Sequence, residues 1–439
     1  MSNTDLISRS LQSVWHPCTQ MKHHEQLPLI PVRRGDGAWL EDMDGTRYLD
    51  GISSWWVNLF GHGHPAIKDA IKAQLDQLEH VMLAGFTHEP VVELSERLSA
   101  LTGGRLGHAF YASDGASATE IALKMSLHYW RNLGQSEKTG FVCLQGSYHG
   151  ETVGALAVTD VAIFRDAYAP LIRPAQVIPG PDNRLAVNGK TTTQVAQDAA
   201  AALEAYLNEH ARSTAALIVE PLVQGASGMV MYDPLYLTLA REICSRHQVH
   251  LIADEIAVGC GRSGTFFATE QASITPDFIC LSKGITGGFL PLSLVLTTHE
   301  IYAAFYHEQT VRGFLHSHSY TGNPLACAAA VATLKLFAED HVLARNQALA
   351  QRITALAEPL RQHPRVAHFR QQGMIWAFDV INAPADFSRR FFTHALSNNL
   401  LLRPIGNTVY WMPPYCLNEA EAAHLVSQTL HTLTAVLAA

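Results

Sequence analysis

Three groups in this sequence, each placed where a strand gives way to a turn, have the chemistry to work together. The first is Lys283. Phe278, Ile279, Cys280 and Leu281 form a short apolar run preceded by Pro276 and Asp277, the pattern of a strand buried on both faces of a parallel sheet. Lys283 follows, next to the glycine-rich turn Gly284, Gly287 and Gly288. That is just past a strand's carboxyl end, where open α/β sheets bind their ligands. The second is Asp254, near the end of the buried run HLIADEI that starts at residue 250. A carboxylate is costly to bury unless something positive meets it. The third is ASDGASATEIALKM, residues 112 to 125, which follows a strand and opens a helix. Its spacing predicts a capping box from Ser117 to Glu120. That leaves the amides of Gly115 and Ala116 free at the positive end of the helix, an arrangement that binds phosphate without a charged side chain.

Each group also has a plainer reading: a loop lysine at the surface, an acid satisfied by Arg262 or backbone amides, an ordinary strand-to-helix turn. Taken together they describe the needs of one cofactor. Pyridoxal phosphate wants a lysine for its Schiff base, a carboxylate to keep its ring nitrogen protonated, and an anchor for its phosphate.

A rival motif overlaps them. Gly259, Gly261 and Gly264 match G-x-G-x-x-G, and Asp277 follows at a plausible interval for a nicotinamide-dependent oxidoreductase. Context counts against it. Asp254 and Glu255 would crowd an anionic pyrophosphate, TFFATEQ is a poor helix opening, and Asp277 precedes its strand rather than ending it. The pairs His62 and His64, and His316 and His318, have no nearby acidic or cysteine third ligand and sit in glycine- or serine-rich turns, so no metal is expected.

Other elements must position these groups. From about residue 61 to 330, short apolar runs (AFYAS at 109, FVCLQ at 141, ALIVEPL at 216, HLIADEI, FICLS, LSLVLTT at 292) alternate with helical or loop segments. That predicts a mostly parallel sheet with crossover helices. Before it, WLEDMDGTRYLDG (39 to 51) reads as a hairpin with a type I′ turn at Asp44 and Gly45. After it, ACAAAVATLKLF (326 to 337) reads as a helix leading to a smaller domain. The division expected is a segment 1–60 joining the small domain, a large cofactor-binding domain 61–330 and a C-terminal small domain 331–439.

Composition bounds the function. The chain has 439 residues, 48% of them hydrophobic, and a formal net charge of −8 with basic residues scattered. No footprint for nucleic acid results, and small-molecule partners are expected. The 7 cysteines lack any C-x-x-C pair, which fits a reducing compartment. No apolar stretch approaches a membrane span. The expectation is a soluble, cytoplasmic protein without a membrane partner.

The acid in IADEI, the glycines of GCGRSG and the lysine of DFICLSKGITGG, in that order and spacing, resemble the signature of class III (subgroup II) pyridoxal-phosphate aminotransferases. More narrowly, WHPCTQM (15 to 21), SSWW (53 to 56), SYHGET (147 to 152), EPLVQGASGM (220 to 229), HSHSYTGNPLACAAA (316 to 330), LLRPIGN and VYWMPPY resemble one branch of that family. It aminates 8-amino-7-oxononanoate to 7,8-diaminononanoate in biotin synthesis, with S-adenosylmethionine as donor. The resemblance spans about residue 10 to 420. It implies an α/β, fold type I transferase: a large domain with a mostly parallel seven-stranded sheet, and a smaller α+β domain formed by the two chain ends. It also implies a homodimer with shared active sites.

Carried over residue by residue, it makes Lys283 the catalytic Schiff-base lysine that shuttles the proton. Asp254 would pair with the pyridine nitrogen and Gln224 with the ring's phenolic oxygen. Tyr148 would stack on the cofactor face, and Gly115 and Ala116 would hold the phosphate, with His318 and Ser319 reaching it from the neighbouring subunit. Trp55, Tyr148 and Ser317 would line the substrate path, Cys18 would stand at a substrate-contacting position, and Arg403 would bind the keto substrate's carboxylate. Trp56 is expected to be a packing residue. Three positions depart from the pattern. Ala116 replaces a hydroxyl residue, Cys18 replaces a tyrosine and so removes an aromatic wall, and Glu151 replaces an aspartate. The alternatives left open are another class III ω-aminotransferase acting on ornithine, 4-aminobutyrate or a diamine, the same reaction with lysine as donor, and a non-enzymatic cofactor-binding regulator.

Overall fold

The computed structural model describes residues 2–27 and 29–438, and the chain divides into two compact units. The larger, Ala66–Asn346, is built on a seven-stranded sheet. Its strands in chain order are β1 (His108–Ala112), β2 (Gly140–Leu144), β3 (Gln176–Ile178), β4 (Thr214–Val219), β5 (His250–Asp254), β6 (Phe278–Leu281) and β7 (Ser293–Thr297). Their order across the sheet is β1-β7-β6-β5-β4-β2-β3. All neighbours pair parallel except β7, which runs antiparallel to both β6 and β1.

The central strands β4, β5, β6 and β7 are buried at every residue. This explains why their sequences are continuous apolar runs rather than alternating ones: helices cover both faces of a parallel sheet. β3 was missing from the expected strands, because three residues at a sheet edge carry too little periodicity to read.

Helix α1 (Gly115–Asn132) lies in the core of this unit and buries Ala118, Ile121, Ala122 and Met125 among Cys143, Ile218, Ile252 and Cys280. Its start corrects the expected capping box. The N-cap is Asp114, whose carboxylate accepts from the Ser117 amide at 3.0 Å and from the Ser117 hydroxyl at 2.8 Å. Glu120 is drawn away to the Gly154 amide at 2.6 Å. A carboxylate at the N-cap outcompetes a box one turn further in because it meets the first unpaired amides and the positive helix end together.

The smaller unit comprises Met1–Pro65 and Gln347–Ala439. Within it, strands Val32–Asp36, Trp39–Asp42 and Arg47–Asp50 form an antiparallel meander, and Leu400–Leu401 adds parallel to the last. A second, antiparallel sheet contains Val366–Gln372, Ile375–Val380 and Thr408–Trp411. Trp376 and Trp411 are fully buried there.

The hairpin over 39 to 51 forms, but with a different turn. Only Gly45 has positive φ (91°). The Gly45 amide bonds the Asp42 carbonyl, and Asp42 uses its side chain to hold the amides of Asp44 and Thr46 at 3.1 and 2.8 Å. A type I′ turn needs two left-handed residues, and this aspartate-bound loop needs one. All seven cysteines are free thiols. Among the described residues no helix is long and apolar enough to cross a membrane, and no group of three or more metal-binding side chains occurs.

Candidate active site

β5 and β6 lie side by side with Asp254 opposite Cys280. Their carboxyl ends therefore deliver Asp254 and, two residues past Leu281, Lys283 to the same edge of the sheet. Lys283 opens a short 3-10 turn, Lys283–Thr286, with φ 46°. Such a left-handed conformation is uncommon for a residue with a side chain and marks a position that the surrounding fold dictates. Burial pushes the Lys283 amine below its ordinary value, while the negative charges of Asp254 and Glu220 pull the other way.

Asp254 is buried and satisfied on both oxygens. Oδ1 accepts from the Ile256 amide at 3.1 Å, and Oδ2 meets His149 Nδ1 at 2.7 Å. His149 follows Tyr148 in the turn SYHGET, and α1 reaches that turn too, since the Thr119 hydroxyl donates to the His149 carbonyl at 2.9 Å.

Glu220, one residue beyond β4, ties two further segments to the site. Its Oε2 accepts from the Tyr148 amide at 3.0 Å and its Oε1 from the Gly225 amide at 2.9 Å. One buried carboxylate thus positions the residue before His149 and the residue after Gln224. Burial pushes the Glu220 carboxyl up to about 7. Gln224 is itself buried, and its amide donates to the Gln145 carbonyl at 3.1 Å. Tyr148 donates its hydroxyl to Glu151 at 2.8 Å and packs its ring 5.2 Å from that of Phe164.

The phosphate cradle is close-packed on the same edge. A Cβ on Gly115 would lie 3.0 Å from Ile256, two residues after Asp254. A Cβ on Gly150 would lie 2.5 Å from the Ala116 methyl, so the SYHGET turn presses directly on the start of α1. Asp114 occupies the amide of Ser117 with its side chain and that of Ala118 with its carbonyl. The amides of Gly115 and Ala116 open the helix, where no intrahelical acceptor exists. The sequence-predicted groups Lys283, Asp254, Gly115, Ala116, Tyr148 and Gln224 therefore belong to one connected network. Amine, buried carboxylate and helix-end amides are the donor set that fits pyridoxal phosphate.

Sequence reasoning missed His149 and Glu220 as members of that network. Glu220 carries the signal that singled out Asp254, an acid closing a buried apolar run. His149 had no signal beyond its neighbour Tyr148.

His318 stands 3.4 Å from the Ser113 hydroxyl of its own chain, while Ser317 and Ser319 are exposed on the single chain. The G-x-G-x-x-G stretch makes no helix-opening turn. A Cβ at Gly259 would lie 2.8 Å from the Glu255 carbonyl, and Asp277 is engaged by Arg241 at 2.7 Å and by the Leu251 amide at 2.6 Å.

In the smaller unit, Arg403 lies 5.1 Å over the Trp55 ring and donates to the Cys18 carbonyl at 2.9 Å. All three residues are exposed, so Cys18 meets Arg403 through its backbone. Trp55 belongs to a run in which Ser53, Ser54, Trp55 and Trp56 have φ of 51°, 46°, 72° and 73°. Four consecutive left-handed residues with side chains cost about 1–2 kcal/mol each. Trp56 is buried, as expected of a packing residue, with its indole nitrogen 3.2 Å from the Tyr410 hydroxyl.

A lysine and an acid at adjacent strand ends, with a phosphate cradle at a third, define a class of enzyme that matches the family model "Aminotransferase class-III" over residues 20–433. The chain belongs to that family of pyridoxal-phosphate-dependent aminotransferases. More particularly, it is 43% identical over 438 residues to the adenosylmethionine-8-amino-7-oxononanoate aminotransferase of Helicobacter pylori, covering 98% of each chain. The crystal structure of the enzyme of that name from Methanocaldococcus jannaschii superposes with a TM-score of 0.93 at 31% identity, covering 99% of this chain and 100% of that one. A PLP-bound amine transaminase from an uncultivated Pseudomonas species gives a TM-score of 0.91 at 30% identity, over 97% of this chain and 99% of that one.

Proposed function

We propose that this chain transfers an amino group from S-adenosylmethionine to 8-amino-7-oxononanoate, forming 7,8-diaminononanoate for biotin synthesis, and that it acts as a cytoplasmic homodimer with shared active sites. The names of its relatives support the substrates. The observation that carries the reading is Arg403 poised over the Trp55 ring. A guanidinium beside an aromatic wall suits a long aliphatic chain that ends in a carboxylate.

Pyridoxal phosphate bound here would supply a reactive carbonyl and a ring that accepts electrons. Lys283 would be the residue that holds it covalently. Its amine, with proton affinity reduced by burial, takes the α-proton of the donor and returns a proton on the acceptor side. Asp254, backed by His149, would keep a proton at the ring nitrogen, and Gln224 would bond the phenolic oxygen. Tyr148 would cover the ring face, and the amides of Gly115 and Ala116 would grip the phosphate with help from His318 and Ser319 of a second copy. Trp55, Tyr148 and Ser317 line the substrate's path. Cys18 in place of a tyrosine leaves that path with less aromatic wall.

The test is the visible absorption of the purified protein. A cofactor band bleached by S-adenosylmethionine alone is expected. A band that ignores it and bleaches with lysine would move the donor assignment. Arg403→Ala is expected to weaken the keto substrate far more than the donor, and equal losses would remove Arg403 from the carboxylate role.

A further inference from the structure

The turn that carries Trp55 is held from below by one carboxylate. Asp50 is the last residue of strand Arg47–Asp50, and its side chain is closed to water. Oδ1 accepts from the Ser54 amide at 2.9 Å, and Oδ2 from the Ser54 hydroxyl at 2.7 Å. Oδ2 also meets His62 Nε2 at 3.0 Å.

Behind that contact the bonding is complete. His62 Nδ1 lies 3.1 Å from the Asn58 amide nitrogen, and Asn58 Oδ1 accepts from the Gly61 amide at 2.8 Å. With Asn58 donating to Nδ1, His62 carries its proton on Nε2 and donates it to Asp50. The backbone of His62 is in turn fixed to Gly37 by two hydrogen bonds of 2.7 and 3.1 Å. A Cβ on Gly35 would strike the His62 side chain at 2.6 Å, so the ring cannot be displaced in that direction without moving a strand.

The two ends of the turn are anchored separately. The Ser53 hydroxyl donates to the Met412 carbonyl at 2.7 Å, and the amides of Trp56 and Val57 bond the carbonyls of Ile52 and Ser53 at 2.8 and 3.0 Å. Among the described residues, Ser54 in the middle has only Asp50 to grip its amide and hydroxyl together. No glycine occupies the four positions, so the left-handed path is imposed by these partners rather than by local preference.

We infer that Asp50, oriented by His62, is a positioning residue that holds the left-handed turn Ser53 to Trp56 and so presents the Trp55 ring beneath Arg403. The inference rests on the reading of Trp55 and Arg403 as keto-acid residues. It also gives His62 work that needs no metal.

The test is Asp50→Asn in the holoenzyme, with Asp50→Ala and Asp50→Ala combined with Ser54→Gly as companions. Asparagine keeps the size of the side chain but has a single acceptor oxygen. The expected result is a rise of tenfold or more in KM for 8-amino-7-oxononanoate. Cofactor affinity, and the rate at which donor alone bleaches the cofactor band, should stay within about twofold. Glycine at 54 adopts the left-handed conformation without help, so the double variant is expected to recover much of the KM lost in Asp50→Ala. An unchanged KM, or a loss spread equally over keto acid, donor and cofactor, would overturn the proposal. A crystal structure of Asp50→Asn reads the turn directly: positive φ retained at all four positions would overturn the clamp whatever the kinetics. Arg403→Ala separates the two ideas. If that variant left the keto-acid KM unchanged, the substrate reading would fall, and the clamp would be judged on the crystal structure alone.

Discussion

His149 Nδ1 lies 2.7 Å from Asp254 Oδ2, with the histidine side chain fully closed to water and the aspartate nearly so. Replacing His149 by Phe would leave the carboxylate with the Ile256 amide as its remaining hydrogen-bond donor among the described residues. A buried acceptor that loses a partner costs about 1–3 kcal/mol. The expected outcome is a loss of unfolding free energy of that size, read as a lower denaturant midpoint with an unchanged slope, together with weaker cofactor binding. His149→Gln, which retains a donor, should recover part of both. A midpoint that does not move in His149→Phe would mean that the pair contributes nothing to holding Asp254.

Lys283→Ala is expected to reduce transamination by at least about 10²–10⁴-fold, the usual contribution of a positioned general base, and further to the extent that the covalent attachment is lost. Far-UV circular dichroism and the thermal midpoint should stay close to those of the parent, because the turn is held by backbone bonds from Ile285 to Ser282 and from Gly287 to Gly284. Turnover retained at the parent rate would remove Lys283 from its role.

Glu220 makes stability depend on pH in a stated direction. Burial raises its carboxyl to about 7 from the ordinary 4.5, so the folded chain takes up a proton between those values. The stability associated with that proton is complete below the lower value and is lost as pH rises through the upper one. In Glu220→Gln this dependence disappears. Relative to the parent, the variant should therefore gain stability between about pH 5 and about pH 8, by on the order of 1–3 kcal/mol. Urea unfolding of both proteins across that range measures it, and parallel curves would refute the assignment. Glutamine cannot accept from the Tyr148 and Gly225 amides at once, so a pH-independent loss is expected on top.

Gly150→Ala tests the packing of the phosphate cradle. Its new methyl would lie 2.5 Å from that of Ala116, at a backbone φ of +117°. Overpacking of this kind costs about 1–3 kcal/mol, and the displaced helix start should weaken pyridoxal phosphate binding in a spectroscopic titration. Adding Ala116→Gly removes the closer of two overlaps, leaving the Cα of residue 116 at 2.8 Å, and should restore part of the affinity. No recovery would place the defect in the strained backbone at 150 instead.

Much of the large unit was legible in advance because its central strands are buried on both faces and their apolar runs are unbroken. The runs at 109, 141, 216, 250, 278 and 292 all became strands of one sheet. Residues whose sequence signal was a polar group ending such a run, Lys283 and Asp254, stand at one sheet edge as their positions required. Local turn chemistry was less legible. Asp114 capped α1 in place of Ser117, and the loop after Trp39–Asp42 used one left-handed residue where two were expected, since in both cases an aspartate side chain took backbone amides that spacing alone had assigned elsewhere.

By itself, then, the sequence determined the parallel sheet, the class of cofactor chemistry and the residues at its strand ends, because burial and period are written in the chain one residue after another. Tertiary structure alone decided which groups stand behind those residues. Glu220 reaches the amide of Tyr148, 72 positions earlier, and His149 meets Asp254, 105 positions later. Four residues without a glycine follow a left-handed path while Asp50, backed by His62, grips Ser54 and other partners anchor the two ends. Pairings over such separations leave no period in a sequence, and a strained turn contradicts its own local preferences, so both become visible only when distant segments are packed together.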